Sequence, residues 1–283
     1  MEQRLESHRP LIVTGIDVRH SGAYAKGVVA EELEAHLVER AVILGESWPR
    51  FRDLLVDLLE QEYSHSPDAQ DRNYFLEQLL RLREQLTGTD EASRFWRQEL
   101  RNLAWTARSA WGLGGRDEGM GLNLAWLAKE RYPDKKIVVW AHNFHIVRSA
   151  AALAPYHPEY AREFEEYPDT PLGEVAVREL GDEVRSVALV AGRGWYSPEA
   201  WRGDTVTRAA VPVPPPESLE DAMLERGLEM AYLDLWHEPE TFTMHGTEHG
   251  VAVDAPWGRA FDGVIYIREM TGLADDSYGC DDQ

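Results

Sequence analysis

The chain has 283 residues, 43% of them hydrophobic, and a formal net charge of −21 from 50 acidic against 29 basic side chains. This negative field repels nucleic-acid phosphates and anionic membrane surfaces, so neither is an expected partner. Its apolar runs are far shorter than the roughly 20 residues that cross a bilayer. The only cysteine, Cys280, excludes an internal disulfide and a cysteine-based zinc site. With no secretory signal at 1–10, we expect a cytoplasmic protein.

The first half of the chain predicts one strand followed by helices. A short, partly β-branched run at 11–16 indicates a strand that ends at Asp17. Apolar residues spaced three and four apart then indicate a series of helices. These span 29–44, 48–63, 71–86 and 90–111, and a further one follows from 116 to 131. Because no strand pattern interrupts it, the stretch 29–111 is expected to form a helical insertion or cap.

The second half predicts strands and helices in alternation. The expected strands are 136–141, 186–191 and 263–267, and the expected helices are 146–153, 173–180 and 218–229. Alternation of this kind is typical of an α/β fold with a mainly parallel β-sheet flanked by helices. We therefore expect one α/β domain over 1–283, with the helical cap inside it.

Polar side chains follow the predicted strands. Asp17 comes after the first strand, His142, Asn143 and His145 after the second, and Arg193 after the third. Ligands of open α/β sheets gather beyond the carboxyl ends of the strands. If the strands run parallel, these groups share one rim and form a candidate site.

The segment 142–145, His-Asn-Phe-His, admits three interpretations. Two imidazoles and an amide are able to bind, polarise and protonate an ester oxygen near neutral pH. One histidine could instead cap the following helix or satisfy buried backbone. Histidines three apart could also share a metal ion, although no carboxylate stands in an obvious position to complete the coordination.

Arg116 and Asp117 begin a predicted helix directly after a glycine-rich loop. Asp117 is placed to cap the first turn, which leaves Arg116 to contact a carboxylate or a substrate oxygen. Capping alone is the simpler interpretation. The segment 245–249, His-Gly-Thr-Glu-His, lacks the order of a metalloprotease motif and is expected to be a loop near the substrate entrance. No serine-hydrolase elbow, P-loop or dinucleotide fingerprint is present.

Several of these segments together resemble the erythromycin esterase family. The run at 15–17, Gly-Ile-Asp, resembles that family's Gly-Phe-Asp segment, and 116–123 resembles its Arg-Asp-x-x-Met-x-x-Asn helix. The run at 140–145 resembles its Trp-Ala-His-Asn-x-His strand and turn, and 261–267 its closing strand. The family's N-terminal Gly-Glu-x-x-His-Gly segment, which carries its proposed base, is not found. The resemblance thus implies an N-terminally truncated member.

The resemblance implies a hydrolase that opens a macrolide lactone or a related ester by histidine-assisted attack of water, without a cofactor or a resident metal. His142, His145 and Arg116 are then the expected catalytic residues. Asn143, Asp17, Asp117 and Arg193 are the expected substrate-binding residues, and the partner is a small-molecule ester. A ligand-binding relative without activity and a metal-dependent hydrolase remain as alternatives, and the oligomeric state stays open.

Overall fold

The computed structural model describes residues 11–20, 22–61, 66–156, 169–197, 208–236, 238–245 and 251–272. The chain forms two compact units, 1–135 and 136–283. The predicted cap, 29–111, lies within the first unit. No helix in the described ranges is long and apolar enough to cross a membrane.

The first unit is helical in its described part. Its helices are α1 (Ala23–Glu39), α2 (Trp48–Gln61), α3 (Ala69–Gln85), α4 (Glu91–Ala110) and α5 (Arg116–Trp126), and α5 continues as a π-helical turn, Leu127–Arg131. Asp68 and Asp90 start α3 and α4 by accepting hydrogen bonds from backbone amides three residues on. The core consists of buried aliphatic and aromatic side chains from all four helices α1, α2, α3 and α4, including Leu37, Phe51 and Phe75.

The strand predicted at 11–16 is wrong. This run has no sheet partner among the described residues, and Leu11, Ile12 and Val13 are exposed. A β-branched run favours extended backbone, but only a neighbouring strand turns extended backbone into a sheet.

The second unit contains the sheet. The strands are β1 (Val187–Tyr196), β2 (Ala209–Ala210), β3 (Met230–Asp234), β4 (Phe242–Met244), β5 (Val253–Ala255) and β6 (Gly263–Met270). A four-stranded sheet has the order β2-β1-β6-β3, and β4 and β5 form a separate antiparallel pair. The helices are α6 (Ala150–Leu153), α7 (Leu172–Leu180) and α8 (Leu219–Glu225). The core packs under β1 and β6 through residues such as Val190, Val264 and Tyr266.

The chain is mixed α/β, but the expected dominance of parallel pairing is not confirmed. Among the described residues, only β1 and β6 pair in parallel, whereas β2 and β3 join the same sheet antiparallel. The strand expected at 136–141 is also wrong, because this run pairs with no strand in the described ranges. Its side chains still alternate between half-buried and exposed, and the exposed ones include Val138 at 90% and Trp140 at 88%.

Three other predicted elements are shorter or longer than expected. The helix predicted at 146–153 is reduced to α6, because residues 143–146 form a turn and the Arg148 amide donates to the Ala260 carbonyl. The strands predicted to end at 191 and 267 continue to Tyr196 and Met270. Arg193 therefore lies inside β1 rather than beyond its end.

Candidate functional site

Asp17 and Arg116 form a bidentate ion pair in the first unit. The Arg116 guanidinium donates from Nε to Oδ1 at 3.1 Å and from Nη2 to Oδ2 at 2.5 Å. Burial alone would raise the pKa of Asp17, but the hydrogen bonds and charge of Arg116, with help from Arg19, hold that pKa below its ordinary value. Asp17 is therefore an ionised partner that fixes Arg116 in place.

Two glycines shape the start of α5, and one of them, Gly119, lets the segment 16–20 approach the helix closely. Gly115 caps α5 in the left-handed region, at φ 98°, which a side chain would strain. A Cβ at Gly119 would lie within 2.5 Å of Val18 Cγ1 and 2.8 Å of the Trp105 ring. The backbone that carries Asp17 is thus packed directly on the helix that carries Arg116.

His20 is held on α4 through both ring nitrogens. Its Nε2 lies 2.5 Å from Glu99 Oε1 and its Nδ1 lies 3.0 Å from Thr106 Oγ1. The Thr106 hydroxyl donates to the Val18 or the Asn102 carbonyl, so Thr106 Oγ1 accepts from His20 Nδ1. His20 is thus attached to α4 at two positions, Glu99 and Thr106.

A polar network surrounds the His20–Glu99 pair, and the sequence analysis did not find it. Asn123 Nδ2 donates to the Ile16 carbonyl at 2.9 Å and to Asn102 Oδ1 at 2.8 Å. Gln98 donates to Asn123 Oδ1 at 2.7 Å. Residues 98, 99, 102 and 106 share one helical face, and this polar stripe beside the apolar face of α4 was the available signal. Asp117, in the first turn of α5, is buried.

We expect the Asp17–Arg116 pair to make stability depend on acid pH. A carboxyl whose pKa is lowered by folding contributes stability above its unfolded pKa, about 3.9, and loses it as pH falls through the folded pKa. Because the Asp17 side chain is 39% exposed, the contribution should be at most about 1 kcal/mol. The free energy of unfolding of Asp17→Asn, measured in urea, should therefore differ from that of wild type at pH 6, and the difference should shrink as pH falls below about 3.9. Exposed Asp134, which makes no hydrogen bond or ion pair in the described part of the chain, is the matched Asp→Asn control.

The segment 142–145 forms a tight turn in the second unit. The His145 amide donates to the His142 carbonyl at 3.0 Å and the Ile146 amide to the Asn143 carbonyl at 3.1 Å. The two imidazole rings lie 6.5 Å apart at an angle of 80°. His142 is exposed and His145 is half-buried, so the turn presents two imidazoles side by side.

The turn also influences the tautomer of His142. The Phe144 amide donates to His142 Nδ1 at 3.3 Å. A neutral imidazole that accepts at Nδ1 carries its proton on Nε2. His142 is thereby arranged to donate a hydrogen bond from Nε2. This arrangement suits binding of an ester oxygen better than it suits removal of a proton by a general base.

Asn143 attaches this turn to β1. Its Nδ2 donates to the Leu189 carbonyl at 2.8 Å, and its Oδ1 accepts from the Leu189 amide at 2.9 Å. The side chain is buried, and its amide makes the same pair of hydrogen bonds to the backbone of β1 that a neighbouring strand would make. Asn143 therefore attaches the turn that carries the two histidines to β1.

A second attachment involves Asp262, which the sequence analysis did not single out as a site residue. Asp262 is buried, pairs with Arg148, and accepts from the Ser186 amide at 2.7 Å. The Ser186 hydroxyl donates to the Ile146 carbonyl at 2.5 Å. Asp262 thus links the end of the histidine turn to the starts of β1 and β6.

The predicted site residues fall into three groups. Asp17 contacts Arg116, with Asp117 next along α5, and His142 stands beside His145 with Asn143 between them. Arg193 is paired with Glu269 across β1 and β6 at 3.3 Å, and both side chains are mostly exposed. Within the described ranges, no group of three or more histidine, cysteine, aspartate or glutamate side chains is placed to share a metal ion. Most of the segment 245–249 lies outside the described residues.

Comparison with known proteins gives one family. The family model described as erythromycin esterase matches residues 2–270. YbfO of Bacillus subtilis (strain 168), which carries a provisional hydrolase name, is 22% identical over 311 residues, covering 96% of this chain and 66% of YbfO. The chain thus spans about two thirds of that relative's length.

Two solved structures share the fold. A mutant of the erythromycin esterase EreC in its open conformation matches with a TM-score of 0.63 at 15% identity, over 95% of this chain and 71% of EreC. A succinoglycan biosynthesis protein matches with a TM-score of 0.66 at 14% identity, over 94% of this chain and 66% of that protein. At these identities the likeness is one of fold alone.

Proposed function

Because the chain belongs to the erythromycin esterase family, we propose that it is a carboxylic ester hydrolase that opens a macrolide lactone or a related ester by histidine-assisted attack of water. One observation supports this most directly. The turn at 142–145 places two imidazoles 6.5 Å apart and attaches them to the sheet through Asn143. A fixed pair of imidazoles is a suitable arrangement for polarising a carbonyl and protonating a leaving alkoxide.

Each residue then has a distinct task. His142 donates from Nε2 to the carbonyl oxygen of the ester. His145 takes the proton that the attacking water loses and gives it to the leaving oxygen, so the reaction adds one water across the ester bond. Within the first unit, Asp17 holds the Arg116 guanidinium, and Asp117 lies in the first turn of the same helix. The task proposed for Arg116 is to bind an oxygen that carries negative charge. Arg193 lies on an exposed part of β1 and contacts an outer part of the substrate.

A ligand-binding role without hydrolysis is the second candidate. Both ring nitrogens of His20 are engaged by Glu99 and Thr106, so this imidazole does not accept a proton from water in the observed arrangement. A protein with this arrangement could hold an ester without activating water. Calorimetry with erythromycin, run beside the activity assay, separates the two candidates.

The hydrolase proposal predicts a loss of activity in His142→Ala and His145→Ala. Lactone opening of erythromycin and hydrolysis of simple aryl esters are followed by mass spectrometry. Each substitution should lower kcat/KM by about a hundredfold, the lower end of general acid–base contributions. Met230→Ala, on an exposed position of β3, should leave the rate unchanged.

Three outcomes contradict parts of this proposal. Wild-type protein that binds erythromycin but forms no product establishes the second candidate. Turnover unaffected by both histidine substitutions excludes the assigned roles. Turnover lost with a chelator and restored by a divalent metal supports the metal-dependent alternative.

A further inference from the structure

The first unit contains a cavity that none of the candidate site residues line. Its volume is about 400 Å³, within the range of small-molecule pockets, roughly 300 to 1,000 Å³. One wall is the N-terminal part of α4, including Phe95 and Trp96, and the other is the end of α5 with its π-helical turn, including Trp126 and Glu130. Both walls belong to the same compact unit.

Aromatic rings form the apolar part of this cavity. Phe95 and Trp96 meet edge to face with ring centroids 5.5 Å apart. Trp96 is buried, but Phe95 is 50% exposed, which leaves much of its ring in contact with water. Exposed aromatic surface beside a concave wall is typical of a site that receives another ring.

The charged part of the cavity is balanced. Arg131 and Glu91 join the two walls through an ion pair of 2.6 Å. Arg94 and Glu130 also line the cavity, and neither side chain makes a hydrogen bond or an ion pair within the described part of the chain. The cavity therefore offers one unpaired cation and one unpaired anion beside aromatic rings.

The π-helical turn is a second unusual feature of the same wall. Residues 127–131 leave the α-helical pattern, and the Tyr132 amide donates to the Leu127 carbonyl at 2.7 Å, five residues back. Short π-helical turns are costly and are frequently found at functional sites. Here the turn carries Glu130 and Arg131, the two charged residues that this wall contributes.

We propose that this cavity binds a small zwitterionic aromatic molecule of the size of a free aromatic amino acid. The ring lies against Phe95 and the two tryptophans, the ammonium group contacts Glu130, and the carboxylate contacts Arg94. A ligand with only one charge satisfies one of these side chains and is repelled by the other. The proposal goes beyond ester hydrolysis, and its test needs no turnover.

Three probes that share an indole ring test the charge assignment. L-tryptophan carries both charges, tryptamine only the ammonium, and indole-3-propionate only the carboxylate. Titration of the full chain by calorimetry should show saturable binding, with L-tryptophan about fivefold tighter than either singly charged probe, as expected for one exposed charged contact. Equal affinities for the three probes, or no saturable binding of L-tryptophan, would overturn the proposal.

Four variants locate the binding. Glu130→Gln should remove the preference for L-tryptophan over indole-3-propionate and keep the preference over tryptamine, and Arg94→Gln should do the reverse. Phe95→Ala should weaken the binding of all three probes. Leu80→Ala is the matched control, because Leu80 is 53% exposed on α3 and does not line the cavity. Binding that Leu80→Ala weakens as much as Phe95→Ala does would show nonspecific association and contradict the site.

Discussion

Asp262→Asn should lower the free energy of unfolding of the second unit by about 3 kcal/mol, because it leaves a largely buried Arg148 charge without its partner. The asparagine keeps an oxygen for the Ser186 amide, so the change tests the charge rather than the loss of volume. Hydrogen exchange of peptides from β1 and β6 reports on this unit directly. Amides in both strands should exchange faster by about two orders of magnitude.

Two further variants show whether the effect comes from the buried charge. Glu269→Gln removes a carboxylate from the exposed pair with Arg193 in the same sheet and should cost less than about 1 kcal/mol. Arg148→Met combined with Asp262→Asn should be less destabilised than Asp262→Asn alone, because the uncompensated charge is gone. A double variant at least as unstable as Asp262→Asn would rule out this explanation.

The helices of the first unit could be predicted because their signals are local. Spacing of three and four places Phe75, Leu79 and Leu82 on one face, and that face is buried. Capping aspartates mark where α3 and α4 begin. Neither signal depends on which other part of the chain packs nearby.

The sheet could not be predicted to the same degree because pairing depends on distant residues. The apolar runs at 11–16 and 136–141 have the composition of strands, yet the structure shows neither one paired within the described ranges. The partner of β6 on one side is β3, whose alternating pattern is too weak to predict a strand. Local propensity specifies extended backbone and leaves the choice of neighbour open.

The candidate site was predicted in part for the same reason. His142, Asn143 and His145 are adjacent in sequence, so their proximity was certain before the fold was known. Glu99 is 79 residues from His20, and Asp262 is 114 residues from Arg148. Carboxylates of this kind become visible only when the fold brings the distant segments together, and in both cases they fix a basic side chain.

The attachment of the histidine turn leads to the last expected result, which concerns Asn143→Asp. At neutral pH one carboxylate oxygen of the variant still accepts from the Leu189 amide. The other oxygen faces the Leu189 carbonyl, to which the Asn143 amide donates in the wild type. The lost hydrogen bond and the repulsion between oxygens in a buried place should cost about 2 to 3 kcal/mol. Asn73→Asp, the same change on an exposed position of α3, should alter stability by less than about 0.5 kcal/mol.

Acid should partly rescue Asn143→Asp, and this separates hydrogen-bond chemistry from general loss of packing. The carboxyl prefers its neutral form in the folded state, because the protonated oxygen donates to the Leu189 carbonyl, so folding raises its pKa above the unfolded value of about 3.9. The destabilisation is then complete above the folded pKa and shrinks as pH falls through it. Pulse proteolysis in urea measures the free energy of unfolding of the variant and of wild type. The difference between them should be smaller at pH 4.5 than at pH 7 by at least about 1 kcal/mol. A gap of the same size at both pH values would mean that Asn143 holds the turn by its shape and not by its two hydrogen bonds.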